Sequence, residues 1–149
     1  MLRSLACISL VCAALTGTAS ASPDARSADT FVNQANAACS AYFRKLLALP
    51  RPTTVPEVAA FMRGAHPIAV RYVQRMRQLH PPSAQAATYR GLLANLSASN
   101  ALDPGIIAAA ERGNRVRLQA LTAREDALDQ RINAAFAKLG ARVCAKGPS

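Results

Sequence analysis

The 149 residues suit a single domain, and they carry 18 lysines and arginines against 8 acidic side chains, with no tryptophan. That balance favours anionic partners such as phospholipid head groups, acidic polymers or nucleic acid, the plainer reading being solubility. Beyond the first 21 residues no apolar run approaches the roughly 20 residues that a bilayer crossing needs, which excludes a membrane-spanning mature chain.

Residues 1–21 read as a secretory signal. Arg3 supplies the positive start, Leu5 to Leu15 the apolar core, and Ala19-Ser20-Ala21 the small residues that a signal peptidase inspects. Cleavage after Ala21 would leave 128 residues (149 − 21), with cleavage after Ala19 as the second choice. Cys7 and Cys12 leave with the leader. Neither follows the small residues of a lipoprotein-processing site, so no lipid anchor is expected. The mature protein is expected to be soluble and either secreted or held in a periplasm or cell envelope. Nucleic acid is then the least natural of its anionic partners. Without Arg3 the chain has 17 basic side chains against 8 acidic, a formal charge of +9.

The two remaining cysteines, Cys39 and Cys144, are most simply a disulfide in an oxidising compartment, with free thiols or a metal-ligating pair as the other readings. A bond between them closes a loop of 105 residues (144 − 39). The chain-entropy model values such a loop at about 4.7 kcal/mol as an upper figure.

Residues 22–29 are expected to be a flexible polar lead-in, followed by one helical domain over 30–149. From Thr30 to Leu49 the apolar positions Phe31, Ala35, Ala38, Tyr42, Leu46 and Leu49 step by three and four, one face of a helix. Asp29 or Thr30 can cap it, and Pro50 and Pro52 end it. Thr54 with Glu57 has the spacing of a capping box. The seam of Val58, Met62, Ala65, Ala69, Tyr72, Met76 and Leu79 then marks a second helix, kinked where Pro67 removes a backbone bond. His80-Pro81-Pro82 ends it, and Ser83 can cap a third helix that shows Tyr89, Leu92, Leu93 and Leu96.

Asp103-Pro104-Gly105 reads as a cap followed by a first-turn proline, which predicts a break or sharp kink in the third segment. Helical character resumes over Ile106 to Arg112. Gly113-Asn114 punctuates the chain, with Asn114 suited to capping a last helix. There Leu118, Leu121, Leu128, Ile132, Phe136 and Leu139 form one stripe, interrupted by Glu125 near an expected edge. Gly140 closes it with a left-handed turn. No alternating strand pattern appears. Four main helices with short connections predict an all-α, up-and-down four-helix bundle. An extended tail from Gly140 would span roughly 13–14 Å, enough to bring Cys144 back to Cys39 along the first helix.

Asn36-Ala37-Ala38-Cys39, Leu79-His80-Pro81-Pro82, Gly113-Asn114 and Leu139-Gly140-Ala141-Arg142-Val143-Cys144 together give the chain a family look. It resembles a loose group of small exported helical proteins of high-GC bacteria, actinobacteria especially, in which lipoproteins are common. The resemblance covers nearly the whole mature chain. It implies the helical fold and the Cys39–Cys144 pairing, and it brings no activity with it. This chain departs from the lipoprotein members in lacking a lipid-accepting cysteine.

Signatures of catalysis are absent: no Gly-x-Ser-x-Gly elbow, no phosphate-binding glycine loop, no His-Glu-x-x-His helix. Cys39-Ser40-Ala41-Tyr42-Phe43 is not a covalent haem motif. The expectation is a non-catalytic protein without a cofactor that binds a partner or supports the envelope. Two other readings stand beside it. Met62 with His66, and Met76 with His80, are pairs four apart that could offer thioether and imidazole to copper or haem iron in an exported carrier. The pairs lie roughly 21 Å apart along a helix and cannot share one ion, and Met62 and Met76 already fit the core seam. The second reading is an anionic lipid or polyanion binder using Arg71 and Arg75 on the second helix and Arg112, Arg115 and Arg117 around the Gly-Asn turn. Against it, these arginines also suit a solvated face, and Glu125, Asp126 and Asp129 can neutralise some of them. An envelope protein or an anionic surface is the expected partner.

Overall fold

A computed structural model describes residues 23–147, so the expected signal sequence and its cleavage site lie outside the described residues. The described chain is all-helical: α1 (Pro23–Leu47), α2 (Val55–Arg77), a 3-10 turn (Ser83–Gln85), α3 (Ala86–Asn100), α4 (Asp103–Glu111), α5 (Arg115–Lys138) and α6 (Arg142–Lys146). No helix in it is long and apolar enough to cross a membrane.

Several helix ends follow from local chemistry. The Glu57 carboxylate accepts the N–H groups of Thr53 (2.7 Å) and Thr54 (3.2 Å) and the Thr53 hydroxyl (2.9 Å), satisfying donors that the start of α2 would otherwise leave open. Those bonds to the charged form hold Glu57 below the usual carboxylate range. α2 runs without interruption through Pro67. Asn114 Oδ1 accepts the Arg117 N–H at 3.0 Å as the cap of α5. Gly113 and Gly140 take the positive φ values, 61° and 78°, that the turns before and after α5 require.

Four expectations are corrected. The lead-in at 22–29 is, from Pro23 onward, the first turns of α1: Ser27 and Thr30 bond back to the carbonyls of Asp24 and Arg26 and so stay within the helix where Thr30 was expected to cap it. Ser83 opens a 3-10 turn and makes no capping bond. The break expected in the third segment is present, at Ala101 and Leu102, but Asp103 is the first residue of α4 and makes no capping bond to it. Past Gly140 the chain is not extended but turns into α6, whose Val143 N–H is received by Asn36 Oδ1 of α1 at 3.0 Å. That bond completes an amide which so short a helix cannot satisfy internally.

α2 packs against α1, α3 and α4, and α5 against α3, α4 and α6, while α6 also meets α1. Two apolar clusters result. The larger gathers Phe31 and Ala35 of α1, Tyr72 and Met76 of α2, Leu92 and Leu96 of α3, and Ile132 and Phe136 of α5. The smaller joins Leu102, Ile106 and Ala109 to Leu121 of α5, with Val58 and Met62 of α2 against it. The Cys39–Cys144 disulfide, with both residues fully buried, fastens α1 to α6 inside the larger cluster (Cα–Cα 5.3 Å). The Tyr72 hydroxyl donates to Cys39 Sγ at 3.0 Å, since a bonded sulfur has no proton to give. Phe31 meets Tyr89 edge-on at 5.1 Å, and the Tyr89 hydroxyl donates to the Met76 carbonyl at the end of α2. Burial pushes that phenol up to about 12.

Candidate functional site

Both long stripes thin out at the same level, and a cavity of about 300 Å³ lies there. On α2 the seam narrows to Ala65 and Ala69 between Met62 of the smaller cluster and Tyr72 of the larger. On α5 the leucines give way to Glu125 and Asp129 before Ile132 and Phe136 resume. These four residues share one face of α5, at steps of four, three and four. Small side chains on one helix facing carboxylates on the other cannot fill the space between them, so it stays open.

α1 closes one wall with Tyr42, Phe43 and Leu46, and α2 adds Phe61. Tyr42 stacks on Tyr72 at 4.4 Å with planes 14° apart. α3 contributes Leu96, Ser99 and Asn100, and α4 its first residue, Asp103. Asp129 and Asn133 are exposed and mark the rim. The volume matches the lower end of small-molecule pockets, which combine an apolar body with a few convergent polar groups.

Asp103 is the deep polar group of this wall, only 4% exposed. Its Oδ2 lies 2.7 Å from His66 Nδ1. Burial raises its pKa, and the hydrogen bond and charge of His66 oppose that rise. Glu125, half-buried, is pushed up to about 7 by burial first and then by the carboxylates of Asp129, Asp103 and Asp126. Asp129 is raised by burial and by Asp126. Burial and the three cavity carboxylates also raise Tyr42. Three of the chain's 8 acidic residues therefore line one cavity, and none of the described lysines and arginines does.

The residues singled out from sequence fall in different places. Met62 lines the cavity and His66 bonds to Asp103 at its edge. Met76 is wholly buried in the larger cluster, whereas His80 is exposed beyond the end of α2. That Met-His pair is not assembled, because the helix that would make residues four apart neighbours stops at Arg77. Among the described residues no group of three or more histidines, cysteines, aspartates and glutamates is placed to hold a metal ion. Arg71, Arg75, Arg112, Arg115 and Arg117 are all exposed. Arg63 pairs with Glu111 next to Arg112, and Arg71 and Arg75 lie eight and twelve residues further along α2. The two arginine groups are thus separated by roughly 12–18 Å at 1.5 Å per residue.

Sequence reading passed over Tyr42, Phe61, Asp103, Glu125 and Asp129 as site residues. The signal for the last two was present: an acid four residues from another acid, on the apolar face of a helix, is costly unless the space beside it has a use. Asp103 gave no such signal, since an aspartate before a proline reads as a cap. No protein-family model, curated protein or solved structure matches this chain.

Proposed function

We propose that this chain is an exported, non-catalytic binding protein that holds a small organic molecule in the cavity between α1, α2 and α5. The observation that carries the reading is the cavity itself, with aromatic and aliphatic walls and convergent carboxylates where both core stripes are interrupted. Export is supported by the signal-like residues 1–21 and by a disulfide of the kind kept in oxidising compartments. We read α3 and α4 as one broken limb, so that α1, α2, α3–α4 and α5 form an up-and-down bundle with α6 as its closing clasp. On that reading the disulfide keeps α6 and α1 together while a ligand comes and goes.

The test uses N-phenyl-1-naphthylamine, a neutral dye that fluoresces in apolar surroundings. Wild-type protein should bind one equivalent. Ala69→Phe, which places a ring in the cavity, should bind at least about tenfold more weakly while keeping its helical circular dichroism. Equal binding by the two proteins, or no binding by wild type at the dye's solubility limit, would show that the cavity is not a binding site.

A further inference from the structure

We propose that the molecule held in the cavity is an organic cation, a protonated or quaternary amine carrying an apolar body about the size of one ring. This rests on the cavity being a binding site and adds the charge of its occupant. Three features of the cavity point the same way.

The first is sign. The chain as a whole is strongly basic, yet the charged residues that line this cavity are Asp103, Glu125 and Asp129, with no lysine or arginine among the described lining residues. Carboxylates brought together without a cation repel one another, and that repulsion is relieved when a positive group enters. The second is a buried carboxylate on the cavity wall. Asp103 is nine-tenths buried and lines the cavity. Its Oδ2 is taken by His66, it makes no bond to its own helix, and among the described residues its Oδ1 has no hydrogen-bond donor. A carboxylate oxygen left free on the wall of a cavity can accept a hydrogen bond from a group that enters it. The third is the aromatic part of the lining. Tyr42, Phe43, Phe61 and Phe136 present aromatic surface, which attracts cations through the negative faces of the rings as well as burying apolar groups.

The nature of the cation follows from spacing. No three acidic or imidazole groups among the described residues converge as ligands of a metal ion do. The charge is spread along a cavity of about 300 Å³ that is mostly apolar. A bare ion would leave that volume unfilled, whereas an ammonium with a hydrocarbon or aromatic body satisfies both the acids and the walls. An anion would meet three carboxylates and no lysine or arginine among the described lining residues.

The experiment displaces N-phenyl-1-naphthylamine with three probes of similar shape: benzyltrimethylammonium, its neutral isostere neopentylbenzene, and the anion phenylacetate. The proposal expects benzyltrimethylammonium to compete at least about tenfold better than neopentylbenzene, and phenylacetate not to compete. It expects the double variant Glu125→Gln, Asp129→Asn to lose that preference, and Asp126→Asn, an exposed acid outside the cavity, to keep it. Equal competition by the cation and its neutral isostere, or an undiminished preference in the double variant, would overturn the cation while dye binding left the cavity standing as a site. If wild-type protein fails to bind the dye and all three probes, the cavity reading and the cation fall together.

Discussion

Nδ1 of His66 lies 2.7 Å from Oδ2 of Asp103, joining the middle of α2 to the first residue of α4 at the edge of the cavity. Asp103 is the only buried acidic or basic residue among those described, so its partner decides what its burial costs. His66→Ala should lower stability by about 1–3 kcal/mol by leaving a buried acceptor unpaired. Adding Asp103→Leu should recover most of that loss, because removing both partners leaves no orphan. Urea midpoints at unchanged slope measure the cycle. Additive losses in the double variant would show that the two side chains act independently.

Glu125 should make the protein less stable as the solution becomes more alkaline. A carboxyl whose folded pKa is raised binds more protons folded than unfolded, so stability is lost as pH climbs from the ordinary glutamate value through about 7. Burial and the neighbouring Asp129, Asp103 and Asp126 are the cause, and Asp103 and Asp129 shift in the same direction. Glu125→Gln should therefore be more stable than wild type near pH 8 by about 1 kcal/mol, a figure reduced for its partial exposure. Near pH 4 the two should match. Thermal unfolding at both pH values checks this, and a difference independent of pH would contradict it.

Replacing Cys39 and Cys144 together by alanine should lower stability by about 3–5 kcal/mol, the range for a bond closing so long a loop. Because both cysteines are buried, a mild reductant should leave the folded bond intact and act only where denaturant opens the chain. Alkylation mass spectrometry with and without denaturant reads this directly. Rapid labelling under native conditions would show that α6 detaches from α1 far more easily than its packing implies.

Protein recovered from cells that produce it should begin at Ser22, immediately before Pro23 opens α1. An intact mass that still includes residues 1–21 would contradict export with cleavage.

Much of the helical scaffold was legible in the residues because it rests on local chemistry. The Thr53-Thr54-Glu57 start of α2, the Asn114 cap and the Gly113 and Gly140 turns need only neighbours within a few positions. The pairing of Cys39 with Cys144 was legible because only two cysteines remain after the expected leader. What resisted reading depends on contacts between distant segments. Asp103 could not be recognised as a buried partner of His66, 37 positions away, because its local setting spells a helix cap. Asn36 gave no hint that it would receive Val143. The cavity arises where Ala65 and Ala69 of α2 face Glu125 and Asp129 of α5, and no single segment records that coincidence. The Met-His spacing, by contrast, was legible and misleading. Met76 and His80 are four apart in sequence, but α2 ends between them.

The central claim is that the cavity between α2 and α5 holds a ligand. The most direct measurement is amide chemical-shift mapping by NMR while benzyltrimethylammonium, then N-phenyl-1-naphthylamine, is added. The account predicts saturable shifts clustered at Ala65, Ala69, Leu96, Asp103, Glu125, Asp129 and Ile132, residues of four helices that all line this space. Shifts confined to the exposed arginines at Arg71, Arg75 and Arg112 to Arg117, or none at saturation, would contradict it and return attention to the outer surface.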